Sequence, residues 1–257
     1  MNPLMSDALR ARGAVYFDVV DSTNIVAKQL ARQGAADKSL VLSDEQTAGR
    51  GRRGRGWISS PGQGAWMSLI VRPDVPVARA PELVMVSAVA LCRAISDVCG
   101  LDLSIKWPND MLANGKKLCG TLLEISASED RLDWAVIGIG VNILGTKFPP
   151  ELPDAGSIES VSGKRPRRAA VVEAFLNAFD EVYAHWQNSG MGWLLPIYKA
   201  HCSTLGARVR AICPDGEHEG VAEDISPDGA LMLRLSDGSL RALYAGDVSV
   251  RGTDRYG

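Results

Sequence analysis

The period of the hydrophobic pattern changes several times along the chain, and each change predicts an element. Residues 14–20 (AVYFDVV) have strand character, and Ser22 or Thr23 then caps a helix to about Gln33 that stops at Gly34. Residues 39–43 form a second strand, a long glycine-arginine loop follows over 46–57, and 65–71 is a third strand-type run. Pro81 opens a helix to Cys99, with Gly100 suited to the position just past its end. Strand-like segments come next at 103–107, 117–125 and 133–143, with Asn114-Gly115 as a hairpin turn between the first two. Residues 144–166 are proline-rich and aperiodic and read as a mobile loop, and two helices follow at about 167–188 and 191–201.

Beyond Thr204 the texture changes. Short β-patterned runs over 205–251 are broken by Asp-Gly pairs at 215–216, 228–229 and 237–238, a spacing that suits a small all-β barrel. The expected fold class is therefore α+β: a mixed β-sheet flanked by helices in residues 1–204, and a small β-barrel in residues 205–257.

Composition narrows the function classes. With 257 residues, 46% of them hydrophobic, the chain can bury a substantial core. A formal charge of −2 argues against non-specific polyanion binding by the whole molecule. The five cysteines (92, 99, 119, 202, 213) are scattered and never spaced C-x-x-C, and the three histidines lie far apart, so no disulfide framework or zinc site is suggested. No apolar run is long enough to span a bilayer and the N-terminus lacks a signal pattern, so a cytoplasmic location and no membrane partner are expected.

The candidate chemistry sits in residues 46–57, Gln-Thr-Ala-Gly-Arg-Gly-Arg-Arg-Gly-Arg-Gly-Trp. Gly49 to Gly54 match G-x-G-x-x-G, but that motif must lead from a strand into a helix, and the following Trp-Ile-Ser-Ser-Pro-Gly cannot open one. No G-x-x-x-x-G-K-[ST] occurs either. Arg50, Arg52, Arg53 and Arg55 offer planar donor forks for carboxylate or phosphate oxygens, and the intervening glycines let backbone approach a ligand. Such a loop orders around an anion. From charge alone a solvated basic loop or a nucleic-acid contact stands equally open.

The string Gln46-x-x-Gly-Arg-Gly-Arg-Arg-Gly-Arg-x-Trp57 resembles the signature loop of the biotin–protein ligases, and four further segments follow that family's order. These are Ser22-Thr23-Asn24, Lys106-Trp-Pro-Asn-Asp110, Gly115-Lys-Lys117-Leu-Cys-Gly120 and Gly138-Ile-Gly140-Val-Asn142. The resemblance implies a catalytic core like that of class II aminoacyl-tRNA synthetases with an SH3-like C-terminal domain. It implies substrates biotin and ATP, Mg²⁺, and a biotin carboxyl carrier protein of acetyl-CoA carboxylase as acceptor. Ser22, Thr23, Asn24, Gln46, Gly49, Gly51 and Trp57 would line the biotin end, with Gly120, Gly138 and Gly140 giving close backbone approach. Arg50, Arg52 and Lys117 would be catalytic. Arg52, Arg53, Arg55, Lys106, Asn109, Asp110, Lys117, Asn142 and Arg251 would serve ATP and the adenylate, and Asp110 would hold the Mg²⁺. Adjacent strand residues point to opposite faces, so only one of Lys116 and Lys117 can face a pocket.

Many relatives carry a helix-turn-helix before the Ser-Thr-Asn segment. Here that segment lies near the start of the sequence, so a ligase that does not bind DNA is expected. The basic run Lys164-Arg-Pro-Arg-Arg168 reads as solvated. A lipoate–protein ligase and, from another class, a nucleic-acid-binding protein are the alternatives, and the oligomeric state stays open between monomer and homodimer.

Overall fold

The computed structural model describes residues 4–213, 216–244 and 247–250. A short helix α1 (Asp7–Ala11), absent from the sequence expectation, precedes strand β1 (Val15–Val20) and helix α2 (Thr23–Arg32). Strands β2 (Leu40–Gln46) and β3 (Gly64–Val71) flank the glycine-arginine loop, and helix α3 (Glu82–Cys99) ends on Gly100 at φ 56°. Then come β4 (Ser104–Lys106), β5 (Asp110–Ala113), β6 (Lys116–Ser128) and β7 (Arg131–Asn142). These seven strands form one sheet in the order β1-β2-β3-β7-β6-β5-β4. The β1–β2 pair is parallel and the others antiparallel, so the sheet is mixed, as expected.

Asn114 (φ 50°) and Gly115 (φ 73°) do form a tight turn with two left-handed residues, the geometry of a two-residue hairpin. It joins β5 to β6, however, and not the 103–107 strand to β6. The four-residue β5 is too short for its period to stand out, and its register appears only against its neighbours.

Both faces of the sheet are covered, which is why all eight residues of β3 are buried. Helix α2 lies over β2, β3 and β7 on one face, around Ala27, Ala31, Val41, Ile70, Trp134 and Val136. On the other face α3 packs against helix α5 (Arg168–Ser189), and helix α6 (Met191–His201) packs against both. The aperiodic segment expected at 144–166 carries a short helix, α4 (Ile158–Ser162), fixed by a capping box between Ser157 and Ser160. One residue of the basic run is also not solvated. Arg168 is 4% exposed and donates to Asp44 Oδ1 at 2.5 Å and to the Gly64 carbonyl at 3.1 Å.

The tail forms the all-β unit that its turn spacing predicts. Strands β8 (Arg208–Cys213), β9 (Gly216–Ile225), β10 (Leu231–Leu235), β11 (Leu240–Leu243) and β12 (Asp247–Val250) make an antiparallel sheet in the order β11-β10-β9-β8-β12. Its buried residues, among them Val209, Ala222, Leu231 and Leu233, belong to the same apolar cluster as α3, α5 and α6. At the junction Ser203 N–H donates to the Ile105 carbonyl at 3.0 Å, so the connection from α6 runs along β4.

Candidate active site

One large cavity, about 520 Å³, opens over the centre of the mixed sheet, a size that suits a small-molecule site. Its walls gather residues from positions 22 to 155. Of the residues singled out above, Ser22, Thr23, Asn24, Gln46, Arg50, Gly51, Arg52, Arg55, Trp57, Lys106, Asn109, Asp110, Lys117, Gly120, Gly138, Gly140 and Asn142 all line it. Gly49 and Arg53 do not. They border a smaller cleft on the outer side of the loop, with Leu122 and Glu124. Arg251 lies outside the described residues.

At one end of the cavity a hydrogen-bonded chain fixes the polar side chains. The Thr23 N–H and hydroxyl both donate to Gln46 Oε1, at 2.9 and 3.1 Å, and Gln46 Nε2 donates to Ser59 Oγ at 2.8 Å. The fully buried Ser68 hydroxyl lies 2.6 Å from Asn24 Oδ1 and 2.8 Å from the Thr23 hydroxyl. Asn24 Nδ2 then donates to Glu124 Oε2 at 2.9 Å, and Lys28 Nζ to Glu124 Oε1 at 2.6 Å. Arg50 Nη1 stands 3.5 Å from that carboxylate. Burial pushes the Glu124 carboxyl up, but the hydrogen bonds from Lys28 and Asn24 outweigh it and hold the group below its ordinary value. Ser68 and Glu124 carry no motif, and only their partners mark them.

The glycines expected to bring backbone close to a ligand instead make room for protein side chains. A Cβ at Gly138 would lie 2.2 Å from Asn24 Oδ1, and one at Gly140 2.4 Å from the Trp57 ring. At Gly120 the Trp57 ring is again nearest, at 2.9 Å. The indole folds back onto β6 and β7, meets Trp66 edge to face at 6.4 Å, and has Lys117 Nζ 5.2 Å from its ring centre. Its N–H is buried with no hydrogen-bond partner among the described residues.

The other end is cationic. Lys117 Nζ lies 2.8 Å from Asp110 Oδ1, and Arg52 Nη1 donates to Asn109 Oδ1 at 2.9 Å. Asn109 in turn donates to the Thr121 carbonyl at 2.8 Å, which ties the β4–β5 turn to β6. Burial lowers the proton affinity of both Lys106 and Arg52; Asp110 opposes the shift in each, while neighbouring cations add to it. Lys116 faces away, its Nζ donating to the Pro153 carbonyl at 2.6 Å, as strand alternation requires.

Residues 147–155 close the remaining side, with Lys147, Phe148, Leu152 and Asp154 on the wall. Two backbone bonds fasten this stretch to β6: Lys117 N–H to the Asp154 carbonyl at 2.7 Å and Gly156 N–H to the Lys117 carbonyl at 2.9 Å. Asn142 Nδ2 adds a bond to the Gly156 carbonyl at 2.9 Å. The sequence offered no anchor here, because these backbone partnerships leave no residue-type signature.

The chain is similar to known proteins over most of its length. Residues 16–142 match the Biotin/lipoate A/B protein ligase family, and residues 204–251 match the Biotin protein ligase C terminal domain. The chain is 38% identical over 239 residues to the bifunctional ligase/repressor BirA of Bacillus subtilis (strain 168), covering 92% of this chain and 73% of that protein. It is also 38% identical over 227 residues to the biotin–[acetyl-CoA-carboxylase] ligase of Paracoccus denitrificans, covering 83% and 91%. Among solved structures, the biotin protein ligase from Aquifex aeolicus in complex with biotin and ATP superposes with a TM-score of 0.78 at 26% identity, covering 93% of this chain and 98% of that one.

Proposed function

The chain belongs to the biotin protein ligase family, and from that premise we propose how its cavity activates biotin with ATP and passes it to a carrier lysine. The observation that carries the assignment is the division of the cavity into a hydrogen-bonding end at Ser22, Thr23, Asn24 and Gln46 and a cationic end at Arg52, Lys106 and Lys117.

In the first step a biotin carboxylate oxygen attacks the α-phosphorus of ATP. The bond from that phosphorus to the bridging oxygen breaks, and pyrophosphate leaves with the electron pair. Two anions must meet, so positive charge has to be preset. We assign that task to Arg50, Arg52 and Lys117, with Lys117 holding the biotin carbonyl oxygen and an α-phosphate oxygen. Lys106, Asn109 and Arg55 take the phosphates, and Asn142 supports the nucleotide side. Arg53 acts from outside the lining as a loop-ordering residue. The Ser22, Thr23, Asn24 and Gln46 end suits the ureido group of biotin, and Trp57 suits its apolar rings. In the second step the carrier lysine amine attacks the anhydride carbonyl. The carbonyl–oxygen bond to AMP breaks, the amine gives up a proton, and an amide remains.

Mg²⁺ enters this reading with ATP. Asp110 supplies one carboxylate beside the phosphate-facing lysines, and an ion that takes one protein carboxylate, phosphate oxygens and waters suits that donor set. The ion would neutralise phosphate charge. We divide the chain at residues 204/205 into a catalytic domain and an SH3-like domain, place the enzyme in the cytoplasm, and take the acceptor to be the biotin carboxyl carrier protein of a carboxylase.

The test is transfer. Incubated with ATP, biotin and a carrier domain, the chain should attach one biotin to one lysine and release AMP. Transfer of lipoate in place of biotin would refute the substrate assignment.

A further inference from the structure

The segment Lys106-Trp-Pro-Asn-Asp110 divides its side chains between two parts of the molecule. Lys106, Asn109 and Asp110 line the cavity, whereas Trp107 does not. Trp107 is 3% exposed, and its indole N–H donates to the Gly229 carbonyl at 3.0 Å. Gly229 belongs to the β9–β10 turn of the C-terminal sheet, a position at φ 85° whose Cβ would stand 3.1 Å from Met85 Sδ on α3. The Trp107 amide donates to the Thr204 hydroxyl at 2.9 Å, and Thr204 is fully buried where the chain crosses into that sheet. Cys202 bridges to Ile105, so the same crossing flanks β4 directly before Lys106.

We propose that the C-terminal sheet sets the nucleotide end of the cavity through Trp107, with Thr204 and the Gly229 turn as positioning groups for Lys106, Asn109 and Asp110. This rests on the reading of that end as the ATP site. Lys106 and Asp110 pair with each other across β4 and β5, at a turn whose apex is residues 107–109. An indole held at both its backbone amide and its ring N–H fixes the apex, and with it the direction of the flanking side chains. Among the described residues, the hydrogen-bonded chain of the biotin end runs through α2, β2, β3 and β6 and makes no bond to the C-terminal sheet. Loosening Trp107 therefore acts on ATP and leaves biotin alone.

The test measures the ATP KM, kcat and biotin Kd of the full chain in three variants. Trp107→Phe keeps the aromatic body and removes the donor to Gly229. Thr204→Val removes the acceptor of the Trp107 amide, and Thr204→Ser keeps it. Losing one such bond should raise the ATP KM on the order of 5- to 10-fold with biotin Kd unchanged. Thr204→Ser should restore the ATP KM. Asp224→Asn serves as the control, since it breaks the Lys199–Asp224 ion pair (2.6 Å) between α6 and the same sheet without touching residue 107, and should leave the ATP KM unmoved. Should Trp107→Phe fail to fold, the Thr204 pair carries the test.

A wild-type ATP KM in Thr204→Val, or equal losses of ATP and biotin affinity, would overturn the proposal. So would an Asp224→Asn variant as impaired as Thr204→Val. These results differ from failure of the underlying reading, which would show as no biotin-dependent turnover in the unaltered chain.

Discussion

The indole of Trp57 occupies the space where a side chain on residue 140 would begin: its Cε2 lies 2.4 Å from the position of a Cβ there. That glycine fixes how deeply the arginine loop can fold onto the sheet. The loop ends in Trp57, so whatever expels the ring also withdraws Arg50, Arg52 and Arg55 from the cavity.

Gly140→Ala should therefore impair ligand binding without unfolding the sheet. Overpacking of this kind costs about 1–3 kcal/mol, equivalent to about 5- to 150-fold weaker biotin binding. Titration calorimetry with biotin checks it. Gly192→Ala, where an added methyl meets nothing within 4 Å, should bind as the parent does.

The two adjacent lysines give a cleaner contrast. Lys117 faces the cavity beside Asp110, while Lys116 binds the Pro153 carbonyl on the outside. Lys117→Ala should lower the rate of adenylate formation on the order of 10²–10³, the cost of removing a preorganised donor from developing charge. Lys116→Ala should fall within about threefold of wild type, since an exposed contact contributes little. A single-turnover measurement with both variants separates them, and comparable rates would refute the role given to Lys117.

Much of this site was legible in the sequence, and for a physical reason. The arginine loop shows its anion-binding chemistry locally through its residue types, whereas the Lys106–Asp110 and Lys117–Gly120 segments were legible only through their resemblance to the family and its order of segments. The remainder depends on partners far away in the chain. Glu124 matters because Asn24, Lys28 and Arg50 converge on it, and Ser68 because it stands between Thr23 and Asn24. Neither partnership leaves a spacing to read. Arg168 looked like part of a solvated basic run because a residue list does not reveal that Asp44 lies opposite. The glycines at 138 and 140 were recognisable as places of close approach, but what approaches them is Asn24 and Trp57.

Glu124 supplies a pH signature. Its carboxyl is held below the ordinary value, so its contribution to stability is fully present above the unfolded-state pKa of about 4.5 and is lost as pH falls through the lower folded value. Melting temperature followed from neutral pH down to about pH 3 should decline less steeply for Glu124→Gln than for the parent. Parallel declines would show that the carboxylate does not anchor α2 to the sheet.

Arg168 links the start of α5 to the base of the loop. Asp44 accepts from Arg168 and also from the Gly62 N–H at 3.2 Å, so the pair holds the descending end of the 47–63 segment. Arg168→Ala leaves Asp44 without its buried counter-charge and should cost about 3–5 kcal/mol of stability by denaturant unfolding. A loss under about 1 kcal/mol would mean that water replaces the arginine.

If the cavity joins biotin to AMP, labelled pyrophosphate must exchange into ATP. Exchange requires formation and reversal of the adenylate and needs no carrier protein. Exchange should depend on biotin and be lost in Lys117→Ala. Exchange without biotin, exchange driven by lipoate in its place, or no exchange by the intact chain would contradict that chemistry.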